Sequence, residues 1–300
     1  MYYLLSGFVY LLSWLPMPVL YVLADCCYIV VYGLLGYRKK MVRNNLVKAF
    51  PTLSTQERQK IEKEFYRNFF DTWFELIKCA TISVKRARQM MTADFTLLEA
   101  LHAQGKTCQF MCGHMFNWEL YNVIIPTGQP YPFLPVYMPL ASKPVDKLMY
   151  KIRSRFGVHL INATQVKQEM AGWLQRQYMI ALGADQRPSN PENGWWLWFL
   201  NQPTCVVQGP GRNAVRNNMT VVFAWPQKTG RGRYHLHLEV MAANAAQYTP
   251  QQITQLYIKR LQQAIEEQPG NYLWTHNRWK HAWQPSLESL WIDALPIPHA

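Results

Sequence analysis

The chain has 300 residues, enough for one large α/β domain with a small appendage and a sizeable core. Its formal charge is +13 with only 16% charged residues. No zinc-finger spacing, RNP-like segment or basic region with heptads accompanies the basic clusters, so the charge points to an anionic lipid surface and away from nucleic acid. The 6 cysteines are scattered without a Cys-x-x-Cys pair, which argues against a disulfide scaffold and for a reducing cytoplasmic setting.

Residues 1–37 are almost wholly apolar, interrupted by Pro16, Pro18 and Asp25, and are followed by Arg38, Lys39, Lys40 and Arg43. A secretory signal carries its charge before the apolar run, not after it. The pattern predicts a membrane anchor over 1–37, either one spanning helix or a Pro-broken pair lying in one leaflet, with 38–300 on the cytoplasmic side. A buried hairpin of a soluble protein is the plainer alternative. Ser54 and Glu57 form a capping box, and Ile61, Phe65, Phe69, Trp73, Leu76 and Ile77 mark one face of a helix running to about Cys79. A short helix is expected over 84–91. From Lys106 the texture becomes short strands at 107–112, 132–136, 158–161 and 179–184, alternating with helices at 118–125, 144–156 and 165–175. Strands at 219–225 and 234–240 follow, and Thr249-Pro250 opens a last helix. This alternation predicts an α/β fold with a mostly parallel central sheet flanked by helices.

The segment Cys112-Gly113-His114-Met115-Phe116-Asn117-Trp118-Glu119 carries the chemistry. A buried strand ends in Gly and His, and a carboxylate follows five positions later. On one continuous helix, side chains at that spacing would diverge by about 140°. They meet only if His114 sits at the strand end and Glu119 in the first turns of the next helix. A His near its ordinary pKa of ~6.5 can take a hydroxyl's proton as attack begins, with a carboxylate fixing its tautomer. One His near one acid is more often structural, so the spacing alone does not decide.

Further blocks lie in order along the chain: Tyr37-Arg38-Lys39-Lys40, Asn44-Asn45-Leu46, Ala49-Phe50-Pro51, Phe65-Tyr66-Arg67-Asn68, Ala184-Asp185-Gln186, and Pro269-Gly270-Asn271-Tyr272-Leu273-Trp274-Thr275-His276-Asn277-Arg278-Trp279-Lys280. With Gly113-His114 and Asn117-Trp118-Glu119 they make the chain, over roughly 10–283, resemble the lipid A late acyltransferase family, the lauroyl and myristoyl transferases of lipopolysaccharide synthesis. The resemblance implies the acyltransferase fold and transfer of a fatty acyl chain from acyl carrier protein or acyl-CoA to a hydroxyl of a lipid A precursor. It implies His114 as general base and Glu119 as its orienting acid, and substrate contacts from Asn117, Arg153, Arg155, Asp185 and Gln186. The implied partners are the donor, the lipid acceptor and the membrane surface. The implied place is the cytoplasmic face of a bacterial inner membrane, with no metal and no cofactor. Trp198-Phe199-Leu200 departs from the family's Phe-Phe-Gly, which leaves open another acceptor, an amino- or glycolipid. A non-catalytic membrane scaffold of the same fold is the alternative outside enzymology.

Other motifs read as structure. Cys108 and Cys112 alternate with Phe110 as strand core and not as metal ligands, and His235 and His237 have no carboxylate spacing to support a site. Gly209-Pro210-Gly211 reads as a turn because no Lys-Ser/Thr follows it. No Gly-x-Ser-x-Gly elbow is present, which disfavours a serine hydrolase. Arg153 and Arg155 alone would be a solvated basic face. The run 195–199 suits core, an acyl groove or a membrane interface equally.

Overall fold

The computed structural model describes residues 1–294. Two N-terminal helices come first, α1 (Tyr2–Ser13) and α2 (Met17–Cys27), and a π-helical stretch, Tyr28–Leu34, extends α2. Pro16 breaks the chain between them and caps α2. There follow α3 (Lys39–Ala49), α4 (Thr55–Cys79), α5 (Val84–Met90), β1 (Met91–Ala93), α6 (Thr96–Ala103) and β2 (Cys108–Cys112). After a 3₁₀ turn at Trp118–Leu120 come α7 (Tyr121–Gly128), β3 (Phe133–Tyr137), α8 (Lys143–Arg153), β4 (Ile161–Asn162), α9 (Val166–Met170) and β5 (Met179–Gly183). The hairpin β6 (Gly194–Phe199) and β7 (Gln202–Val207), then α10 (Gly209–Arg216), β8 (Thr220–Gly230), β9 (Arg233–Ala242) and α11 (Pro250–Glu267), complete the body.

The main sheet runs β1-β9-β8-β2-β5-β3-β4. Strands β8, β2, β5, β3 and β4 are mutually parallel, whereas β9 runs antiparallel to β8 and carries β1 with it. The expected α/β fold with a mostly parallel sheet flanked by helices is therefore the fold found. Alternation along the strands divides the core between the two faces. Phe110, Val222 and Ala224 join one cluster with residues of α6 and α7, and Met111, Val221 and Phe223 join the other with residues of α3, α4 and α11.

Several local expectations change. The helix expected at 165–175 contracts to Val166–Met170, and the strand at 158–161 becomes the two-residue β4. Gly209-Pro210-Gly211 opens α10 instead of making a turn, and Gly211 is required there because a Cβ would lie 2.3 Å from the Pro250 carbonyl oxygen. The aromatic run forms β6 and is core: Trp195, Trp196, Leu197 and Phe199 are buried, with Trp196 against Trp283.

The N-terminal helices pack on the body through one face. Met17, Leu20 and Ala24 are buried, and α2 lies along α4 while α1 touches α4 and α8. Asp25 in the last turn of α2 accepts from Arg231, which also grips the buried carboxylate of Asp71. The outer face carries Tyr3, Leu4, Leu11, Trp14, Leu34 and Leu35 in the open.

Candidate active site

The centre of the sheet supplies the site. Strands β2 and β5 are parallel neighbours with Cys112 opposite Gly183. His114 lies two residues beyond the first and Asp185 two beyond the second, so the register brings them together at the carboxyl ends of the strands, where open α/β sheets keep their ligands. The His114 Nδ1 is 2.5 Å from Asp185 Oδ1. Two glycines make the room. A Cβ on Gly113 would sit 2.4 Å from Leu261 Cδ1, and one on Gly183 3.1 Å from His114 Cε1.

Asp185 is fully buried and held from three sides. Tyr272 Oη donates to Oδ2 at 3.0 Å and Arg278 Nη2 at 3.1 Å. Burial alone would raise its carboxyl, but the His114 ring and hydrogen bond, Arg278 and Tyr272 outweigh it and hold the carboxyl well below the usual range. Asp185 is thus a carboxylate acceptor, which assigns the proton on Nδ1 to His114; in the neutral ring Nε2 then carries the lone pair. Gln186 Nε2 lies 3.4 Å from that nitrogen. The His114 side chain is 26% exposed, while its partner is sealed.

The loop carrying His114 is fastened by the segment 269–278. Leu273 N donates to His114 O at 3.1 Å, Phe116 N to Asn271 O at 2.8 Å, and Asn271 Nδ2 to Phe116 O at 2.6 Å. Tyr257 Oη closes the end of β2 by donating to Cys112 O at 2.8 Å.

The family model for bacterial lipid A biosynthesis acyltransferases matches residues 1–281. The chain belongs to that family. It is an acyltransferase, and no curated relative matches it.

In this acyltransferase the other residues singled out by the sequence fall in different places. Glu119, expected on the His114 ring, is instead held by Arg153: Nε donates to Oε2 at 2.9 Å and Nη2 to Oε1 at 2.5 Å. The physical reason is the turn that follows the His. Asn117 Oδ1 accepts from Glu119 N at 3.0 Å and caps the 3₁₀ turn, which aims Glu119 at the last turn of α8. Glu119 also accepts from Trp118 Nε1 at 3.1 Å, and the Trp118 ring meets His114 edge-on at 5.3 Å. Glu119 therefore reaches the dyad through an indole.

Arg153 is half-buried and does not stand on a free basic face, whereas Arg155 is exposed. Arg153 is spent on Glu119, and Arg155 donates to Cys79 O at 2.5 Å. The Asn117 amide is also engaged, donating to Glu75 Oε2 at 2.7 Å. Glu75 is fully buried and accepts from Tyr21 and Tyr234 as well; burial pushes its carboxyl up. It ties the His114 loop to the N-terminal helix α2.

The sequence offered no role for Tyr272, Arg278 or Glu75. Tyr272 and Arg278 lie in the closing block that carried the resemblance, but only the fold shows that they face Asp185. His276 lies in the same block. Burial, then Arg278, pushes its imidazole down to about 4, so it is neutral at physiological pH. Among the described residues no partner is recorded for its buried Nε2.

Proposed function

We propose that this acyltransferase moves a fatty acyl chain from the thioester of acyl carrier protein or acyl-CoA to a hydroxyl of a lipid A precursor. The observation that carries the reading is the His114–Asp185 contact, with the imidazole partly exposed and the carboxylate sealed. The hydroxyl oxygen attacks the thioester carbonyl while Nε2 of His114 takes its proton. Asp185 stabilises the imidazolium that forms. The tetrahedral intermediate then expels the thiolate, which receives the proton from Nε2, and no acyl-enzyme is needed. Gln186, whose amide nitrogen lies 3.4 Å from Nε2, would orient the incoming hydroxyl. His114→Ala is expected to lose several orders of magnitude in kcat with an unchanged circular dichroism spectrum. Near-normal acyl transfer by the folded variant would remove the mechanism.

The N-terminal helices are proposed as an anchor in one leaflet at the cytoplasmic face of a bacterial inner membrane. The stretch Met17–Leu34 is long and apolar enough to cross a membrane, by length and composition. A crossing would carry Asp25, and with it the ion-paired Arg231 and Asp71, toward mid-bilayer, at a cost of about 2.5–3.5 kcal/mol per charge. Lying flat lets the outer face enter lipid while Leu20 and Ala24 stay on the body. Replacing exposed Tyr3, Leu4, Leu11 and Trp14 by Ser should move most of the protein from the membrane pellet to the supernatant, each lost apolar contact weakening binding by about 1.5–3 kcal/mol. Unchanged pelleting would assign the anchorage to other surfaces.

A further inference from the structure

Of the two arginines that the sequence offers to acceptor phosphates, Arg153 is taken up by Glu119, and the exposed Arg155 gives one N–H to Cys79 O. A second group of cations lines a pocket. A cavity of about 600 Å³ is lined by Arg38, Lys40, Asn44 and Lys48 on one side and by Asn277 and Trp279 on the other. That volume suits a phosphorylated sugar or similar headgroup.

The pocket follows from the local sequence. Lys40, Asn44 and Lys48 stand at intervals of four on α3 and so share one face of the helix. The opposite wall is held in place by polar contacts: Arg38 Nη1 donates to Thr275 O at 2.8 Å, and Asn45 Nδ2 to Trp274 O at 2.8 Å and His276 O at 2.9 Å. In that wall Arg278 turns inward to Asp185, while its neighbours Asn277 and Trp279 turn outward to the cavity. The pocket is thus separated from the dyad by one chain segment. Its other end adjoins the membrane-facing surface, because exposed Leu34 and Leu35 precede Arg38 by only a few residues.

Its charge is uncompensated. No carboxylate is among the lining residues, and among the described residues Lys40 and Lys48 form no recorded ion pair. The nearby Arg43, by contrast, is paired with Glu62. Exposed cations held together without acids favour a multiply charged anion, and the amides of Asn44 and Asn277 add neutral donors.

We propose that this pocket binds a phosphate monoester on the headgroup of the lipid acceptor, with Arg38, Lys40 and Lys48 around the phosphate and the Trp279 ring against the carbon frame. The inference rests on the reading of the enzyme as a transferase to a lipid hydroxyl, and names the residues that hold the acceptor's phosphate. The test variant is Lys40→Gln with Lys48→Gln. It spares Arg38, whose hydrogen bond to Thr275 O is structural.

Two measurements are made on the full-length protein in detergent. Titration calorimetry compares glucosamine 1-phosphate, glucosamine and inorganic phosphate as probes. Steady-state kinetics compares a lipid A precursor with its dephosphorylated form and varies the acyl donor separately. The expected result is that wild type binds glucosamine 1-phosphate and the variant does not. The variant's KM for the phosphorylated acceptor should rise at least about tenfold, since it loses two charge-assisted contacts. The dephosphorylated acceptor, the donor KM and kcat should not change.

Equal binding of glucosamine 1-phosphate by both proteins, or no binding by wild type, would overturn the proposal. Inorganic phosphate binding as tightly as the sugar phosphate would reduce the pocket to a free-anion site and overturn it too. A KM change confined to the donor would give the pocket to the donor's phosphates instead. Lysine-dependent binding of glucosamine 1-phosphate by a protein that transfers no acyl chain would leave the pocket standing and reject the transferase reading.

Discussion

Asp185→Asn is expected to lower kcat by about 10⁴-fold, because an amide cannot hold the Nδ1–H tautomer of His114 or stabilise its imidazolium. The substitution keeps the volume of a side chain that is fully buried, so the His114 loop should keep its path. It does strand a charge. Arg278 is 4% exposed and would lose its ionic partner, at a cost of about 3 kcal/mol or more. The two effects separate by experiment. Single-turnover acyl transfer per folded molecule reports the chemistry, and urea unfolding reports the lost network. Activity within tenfold of wild type would show that another group orients His114. The network also has a pH signature. Asp185 is held below its ordinary range when folded, so its contribution to stability is present above the unfolded value of about 3.9 and is lost progressively as pH falls below it. Asp185→Asn should remove that part of the acid sensitivity.

The reach of the sequence ends at strand adjacency. The strands at 107–112 and 179–184 are legible from their apolar runs, and both His114 and Asp185 are legible as residues just past a strand end. What no local pattern states is that β2 and β5 are neighbours in register, since β3 and β4 intervene in the chain. Without that fact His114 looks for a partner nearby, and Glu119 is the nearest acid. The same limit hides Tyr272 and Arg278, which act across a separation of almost 90 residues or more from Asp185. It also misreads Arg153, because a helical Arg with no acid at its own i±4 positions resembles a solvated face. The hairpin β6–β7 was hidden for another reason. An unbroken aromatic run such as 195–199 lacks the polar alternation that marks a strand with one wet face.

Glu119 and Arg153 are expected to behave as one unit, and the pattern of their losses identifies what the unit does. Glu119 is 4% exposed and its two oxygens take both prongs of the Arg153 guanidinium. Arg153→Ala leaves a buried carboxylate with, among the described residues, only Trp118 Nε1 and the Asn122 amide as side-chain donors, and should cost about 3–5 kcal/mol of stability. Glu119→Gln with Arg153→Met removes both charges at similar volume, and should recover most of that loss. Activity should follow a different course. The carboxylate fixes the Trp118 indole, and the indole borders His114, so either single change should loosen that wall and lower kcat by about 10²-fold. The double variant should fall no further, because the second change removes nothing that the first left working. A double-mutant cycle read on kcat and on unfolding free energy checks both statements at once. Losses in kcat that multiply would show two independent roles. Near-normal turnover by Arg153→Ala beside a dead Glu119→Gln would place the Glu119 carboxylate on the substrate itself, and the orienting task would then be shared between two acids.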